Sequence, residues 1–221
     1  MKLWLDCLGG CALSRDGAPV AIPARKARML LGLLAAARRR TMPRVRLAAL
    51  LWEASDSDQA RVSLRQALAQ IRRSAGEGWV EADGDDLRLG DAVGTDLDAF
   101  QAALARNDPV EAARLYRGPF LEGLDASTPD LGQAIAAERA RLAGLASDAL
   151  ARALDRADDG ADASALAHRL LSLDPLNEVA HRRLMQIDAA HGMRGAARAR
   201  FESLEAALRR DMNSAPEPET R

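Results

Sequence analysis

The sequence predicts two structural classes in one chain: a small α+β domain, then an all-α domain of helical repeats, so that the whole is mainly α. Three observations predict this. Strand-like pieces flank three amphipathic segments before residue 92, and from Asp96 onward the pattern is helical throughout. Charge divides the chain at a similar place. Residues 1–76 hold 14 Lys and Arg against 5 Asp and Glu, a net +9, whereas residues 77–221 hold 17 against 27, a net −10. A basic head on an acidic body points to a polyanionic partner for the head. The alternative is that the arginines simply solvate helices.

The first element, residues 3–22, alternates and is broken by turn residues. Gly9-Gly10 interrupts it, and Arg15-Asp16-Gly17 marks a hairpin turn, which gives a small antiparallel sheet. Pro23 is expected to open the first helix, with Ala27, Leu30, Leu31 and Leu34 as its apolar stripe and Arg38-Arg39-Arg40 near its end. A second helix is expected over 44–51, with Leu47, Leu50 and Leu51 inward and Trp52 after it. Ser57 or Asp58 is expected to cap a third helix that runs to Ala75 and stops at Gly76, with Leu64, Leu68 and Ile71 inward. Residues 79–82 and 87–89 then form a β-hairpin around Asp83-Gly84-Asp85-Asp86. Sheet, three helices and hairpin, in that order, is the plan of a winged helix-turn-helix.

Beyond it, helices are expected over 97–105, from Asp108-Pro109 to Gly118-Pro119, from Ser127-Thr128-Pro129 to Ala157, and over 163–172. Asp174-Pro175 is expected to cap the next, which carries Leu176, Ala180, Leu184 and Ile187 and ends at Gly192; the last carries Ala197, Phe201, Leu204 and Leu208. Paired antiparallel helices with short turns predict tetratricopeptide-like repeats. The expected domains are 1–92 and 93–212, followed by a frayed Pro/Glu-rich tail, 213–221.

Several function classes are disfavoured. The N-terminus lacks a secretory h-region, and no apolar run approaches the roughly 20 residues of a membrane span, so a cytoplasmic protein without a membrane partner is expected. The two cysteines, Cys7 and Cys11, lack the further ligands of a zinc site and are expected to be reduced and structural. His168, His181 and His191 match no ligand spacing, and no phosphate-binding glycine loop is present. The Asp-rich run 155–162 lacks the closing Glu of a calcium loop. No enzyme, cofactor or metal is expected.

The third helix carries the candidate chemistry. Arginine bridges guanine O6 and N7, and glutamine pairs with adenine. Arg65, Gln66 and Gln70 are therefore candidate base contacts in double-stranded DNA, with Arg61, Arg72, Arg73 and the hairpin's Arg88 as candidate phosphate contacts. An ordinary solvated polar face is the alternative. The hairpin tip runs against a DNA contact, because Asp83, Asp85 and Asp86 repel phosphate.

At these residues a family resemblance emerges. Arg25-Lys26-Ala27-Arg28-Met29-Leu30-Leu31, Leu47-Ala48-Ala49-Leu50-Leu51-Trp52 and residues 59–68 resemble the DNA-binding domain of antibiotic-regulatory-protein-type (SARP) regulators, an OmpR-type winged helix. Residues 115–124, Glu138-Arg139-Ala140-Arg141-Leu142, Leu173-Asp174-Pro175 and Glu217-Pro218-Glu219-Thr220 are similar to the bacterial transcriptional activator domain. The resemblance implies a sequence-specific transcriptional regulator, an activator that recruits RNA polymerase. It makes the third helix the recognition helix and brings the loop 53–57 to polymerase. It also implies a homodimer through the helical-repeat domain. Between Leu124 and Glu138 this chain lacks the family's usual aromatic residue. The competing expectation, motivated by the acidic hairpin and body, is a protein-interaction module, the regulatory half of a larger protein, that no longer binds DNA.

Overall fold

A computed structural model describes residues 2–53, 56–158 and 160–221 of the protein. Ala54 and Ser55, in the loop implied to reach polymerase, and Asp159, in the Asp-rich run, lie outside the described residues. The chain divides into two compact units, one of residues 1–106 and 114–142, the other of 107–113 and 143–221.

In the first unit, β1 (Leu3–Asp6), β2 (Ala12–Arg15) and β3 (Ala18–Val20) form an antiparallel meander. Asp16 and Gly17 both take positive φ, 48° and 84°, which is what a two-residue type I′ turn demands. A strand the sequence pattern did not reveal, β7 (Val93–Thr95), pairs in parallel with β1 and completes the order β3-β2-β1-β7. The inward side chains Leu3, Leu5 and Leu13 are buried, as are Met29, Leu30 and Leu34 of helix α1 (Arg25–Ala36). Pro23 does not open α1. The cap is Ala24, without a side-chain bond, and the helix starts at Arg25.

After α1, Arg39 and Arg40 turn to positive φ and the chain enters β4 (Thr41–Pro43). This second unforeseen strand pairs with β6 (Asp86–Leu89), which pairs with β5 (Val80–Asp83). The hairpin thus belongs to a three-stranded sheet, β4-β6-β5. Between β4 and the hairpin come α2 (Arg44–Trp52) and α3 (Ser57–Ala75). Asp56, rather than Ser57 or Asp58, caps α3: its carboxylate accepts from the Gln59 N–H at 2.7 Å. The buried stripe of α3 is Ala60, Leu64, Ala67, Ile71 and Ala75. Leu68 sits on its flank, half-buried, because four residues advance a helix by about 40° beyond a full turn.

The α4 helix (Asp96–Ala105) is capped by Thr95, whose hydroxyl accepts from the Asp98 N–H at 2.8 Å. Asp96 is 2% exposed and accepts from the N–H groups of Cys7 and Leu8 at 2.7 and 2.9 Å. Arg117 donates to it at 3.1 Å and also to Asp6. Burial raises the Asp96 carboxyl above the ordinary range, against these hydrogen bonds. A strap at 119–121 returns to the sheet: Phe120 bridges Leu8 and Gly10, and the Leu121 N–H donates to the Cys7 carbonyl at 2.8 Å.

Helix α5 (Pro109–Leu115) ends short of Gly118-Pro119. Helix α6 (Pro129–Arg156), begun by Thr128, contributes residues 129–142 to the first unit and 143–156 to the second. The second unit is otherwise helical, with α7 (Ala161–Leu173), α8 (Glu178–Ala190) and α9 (Arg194–Met212). Its core gathers Leu150, Leu154, Ala167, Leu170, Leu184 and Ile187. Asn177, not Asp174-Pro175, caps α8, its side chain accepting from the Ala180 N–H at 3.2 Å. The tail expected to fray instead carries a 3-10 turn, Pro218–Thr220. Arg182 donates to Glu217 and to Thr220, at 2.9 and 2.8 Å, and Thr220 is buried. Among the described residues no helix is long and apolar enough to cross a membrane, and no cluster of three metal-ligating side chains occurs.

Candidate nucleic-acid interface

Helix α3 is fixed on its inner face and at both ends. Asp56 caps its start, and at its end the Ala75 carbonyl accepts from Trp79 Nε1 at 3.0 Å and from Arg15 of β2. Its outer face is exposed. Arg61, Arg65, Gln66, Arg72 and Arg73 are all exposed, and Gln70 is half-buried. On a regular helix Arg61, Arg65 and Arg72 fall within about 40° of one another, whereas Gln70 lies about 140° round from Arg65. Gln66 lies about 100° from Arg65 and about 40° from Gln70, so the helix sets Gln66 with Gln70 on one flank and Arg65 with Arg61 and Arg72 on the other.

Among the described residues, no hydrogen bond or ion pair engages the side chains of Arg65, Gln66, Gln70 or Arg73. Arg61 lies 3.4 Å from Asp58 and Arg72 3.6 Å from Glu77, all on exposed side chains. Such pairs contribute about 0–1 kcal/mol and open readily. Arg88 differs. Glu81 and Asp91 hold it, and the Asp91 hydrogen bond, against a smaller burial cost, raises its guanidinium above the ordinary value. Through Glu81 it braces β6 against β5.

Arg44, the first residue of α2, belongs to the same surface and was not foreseen. It lines a cleft of about 260 Å³ with Arg65, Leu68 and Arg72, whose lining also includes Glu77 and Glu81. It also lines a second, of about 430 Å³, with Asp58, Arg61 and Arg65. A signal for it existed: Arg44 and Arg46 occupy the first turn of α2, where the helix dipole disfavours cations, so something other than helix stability must favour them there. The hairpin tip sits at this end of α2, since the Arg44 N–H donates to the Asp85 carbonyl at 3.0 Å. Its carboxylates Asp83 and Asp85 are exposed. The surface therefore offers cations and amides along α3 and α2, bordered on one side by negative charge.

A third region flanks α2. Val45, Ala49, Trp52, Arg46 and Arg61 line a hollow of about 580 Å³, and Lys26 lies over the Trp52 ring at 5.3 Å.

Comparison with known proteins gives the following. Residues 85–221 match the family model of the bacterial transcriptional activator domain. No curated protein matches the chain. Among solved structures, that of Mycobacterium tuberculosis EmbR in complex with low affinity phosphopeptide is similar in fold, with a TM-score of 0.63 at 21% identity. The similarity covers 100% of this chain and 63% of that one, so this chain spans less than two thirds of the length of that structure.

Proposed function

We propose that this chain, which belongs to the bacterial transcriptional activator domain family, has the antibiotic-regulatory-protein-type arrangement and activates transcription by binding specific double-stranded DNA sequences. One observation carries this reading: Arg65 lies in a band of exposed arginines on α3 that extends to Arg44, with Gln66 exposed on the adjoining flank, and neither side chain has a partner among the described residues. Residues 1–92 are the DNA-binding part. Helix α3 enters the major groove, where Arg65 on one flank and Gln66 with Gln70 on the other reach base edges. Arg44, Arg61, Arg72 and Arg73 contact phosphates and set register. Arg88 keeps the hairpin in shape.

Residues 93–212 act as the activator domain, with tetratricopeptide-like antiparallel helices and a homodimer formed through them. RNA polymerase is the protein partner, met by the region around α2. No catalytic step is needed. The exposed Asp83 and Asp85 support a second role for the hairpin, in which its tip faces protein rather than DNA. Selection from a random duplex library tests the main reading: one motif is recovered by the native chain, and Arg65→Ala loses the preference at one of its bases. If the native chain enriches nothing, the interaction-module reading replaces it.

A further inference from the structure

The two cysteines take no part in the surface proposed above. Strands β1 and β2 pair in a constant register, Leu3 opposite Arg15, Leu5 opposite Leu13 and Asp6 opposite Ala12. The ladder ends there, and the same register carried one step further faces Cys7 with Cys11, across the mouth of the loop 8–10. The hydrogen-bonding sense of that position is fixed by its neighbours. The Asp16 N–H donates to the Lys2 carbonyl, so even-numbered residues of this strand bond across to β2 and odd-numbered ones do not. Cys7 obeys the alternation: its N–H donates to Asp96 and its carbonyl accepts from Leu121, both away from β2.

Facing residues at such non-hydrogen-bonded positions have Cα atoms about 4.5 Å apart. Disulfides span Cα separations of about 4.4–6.8 Å. The side chains also share a face. Leu3, Leu5 and Cys7 alternate inward, each 0% exposed, and the Cys11 Sγ donates inward to the Arg28 carbonyl of α1 at 3.7 Å. Both thiols are free. Burial pushes the Cys11 thiol up to about 12 and raises Cys7 as well, and each feels acidic neighbours; Cys11 adds to the rise at Cys7. Thiolate is therefore scarce at neutral pH, and the pair is protected from brief oxidation.

We propose that Cys7 and Cys11 form a dithiol site that closes reversibly to a cross-strand disulfide under sustained thiol oxidation by a small disulfide. Cys11, the partly exposed member, is the entry point. Its thiolate attacks one sulfur of the small disulfide, forms a mixed disulfide and releases one small thiolate. Cys7 then loses its proton and attacks the Cys11 sulfur, which expels the second small thiolate. Two protein thiols are oxidised by two electrons, and one small disulfide is reduced to two thiols. The bond closes the loop that holds the strap, whose Pro119 carbonyl accepts from the Gly9 N–H at 3.1 Å.

The test treats the reduced, folded full-length chain with excess oxidised glutathione, then quenches with acid and alkylates. The expected product weighs two hydrogens less, takes up no alkyl group, and returns to the starting mass with dithiothreitol. Peptide mapping joins residues 7 and 11 within one chain. In Cys7→Ser, Cys11 stops at the glutathione mixed disulfide. Two alkylated thiols after prolonged treatment, stable glutathione adducts on the native chain, or a link between two chains would each overturn the proposal. The decisive readout is on the native chain, so it stands whether or not a variant folds.

Discussion

The cations along α3 and α2 set a salt dependence that can be worked out in advance. Each phosphate neutralised releases condensed counterions, giving a slope of roughly −0.9 in log affinity against log salt. Of the four proposed phosphate contacts, Arg44 and Arg73 have no ion-pair partner among the described residues, while Arg61 and Arg72 hold weak exposed pairs. Two to four cations then give a slope of about −1.8 to −3.6, and a fourfold rise in salt weakens binding by about 12- to 150-fold. Arg73→Ala removes one unpaired cation, so the slope should shrink by about 0.9 on every duplex alike. Fluorescence anisotropy on a labelled duplex between 50 and 200 mM salt reads both quantities. A native slope shallower than about −1, or a slope unmoved by Arg73→Ala, would refute the assignment of this face to phosphates.

Other consequences are as direct. Arg65→Ala should cost about 1–3 kcal/mol on the preferred duplex and relax one base position, read by competition with single-base variants. Asp96→Ala leaves the Cys7 and Leu8 N–H groups without their acceptor and should destabilise the fold by about 3 kcal/mol in urea unfolding. The Asp96 carboxyl lies above its unfolded value, so the stability it adds is present in acid and is lost as pH rises through its folded pKa. The destabilisation by Asp96→Asn should accordingly be larger at pH 4 than at pH 7; the opposite order contradicts the burial argument. Gly32→Ala places a Cβ 2.5 Å from Leu121 Cδ2, in a packed site, and should lower stability by about 1–3 kcal/mol in thermal unfolding.

The three helices and the hairpin of the first unit were legible because their signals are local: a 3.6-residue apolar period, Gly76 at a helix end, an Asp-Gly turn. Strands β4 and β7 were not. Each has three residues, and β7 finds its partner at residues 3–5, so no neighbouring pattern announces it. Caps were misplaced where several candidates stood together, as at Asp56, Ser57 and Asp58, because only the geometry decides which oxygen reaches an N–H. The site was half legible. Residue type picked out the polar face of α3 but not that Glu81 and Asp91 hold the Arg88 guanidinium. Arg44 joins the surface only through the packing of α2 against α3, which one helix's periodicity does not encode.

The most direct test of the central claim is selection of bound duplexes from a random library by the full chain at two salt concentrations, followed by sequencing. The account predicts one motif whose enrichment survives the higher salt, and which loses a defined base preference in Arg65→Ala. Binding that is uniform across sequences and vanishes with salt, or no binding at all, would contradict it.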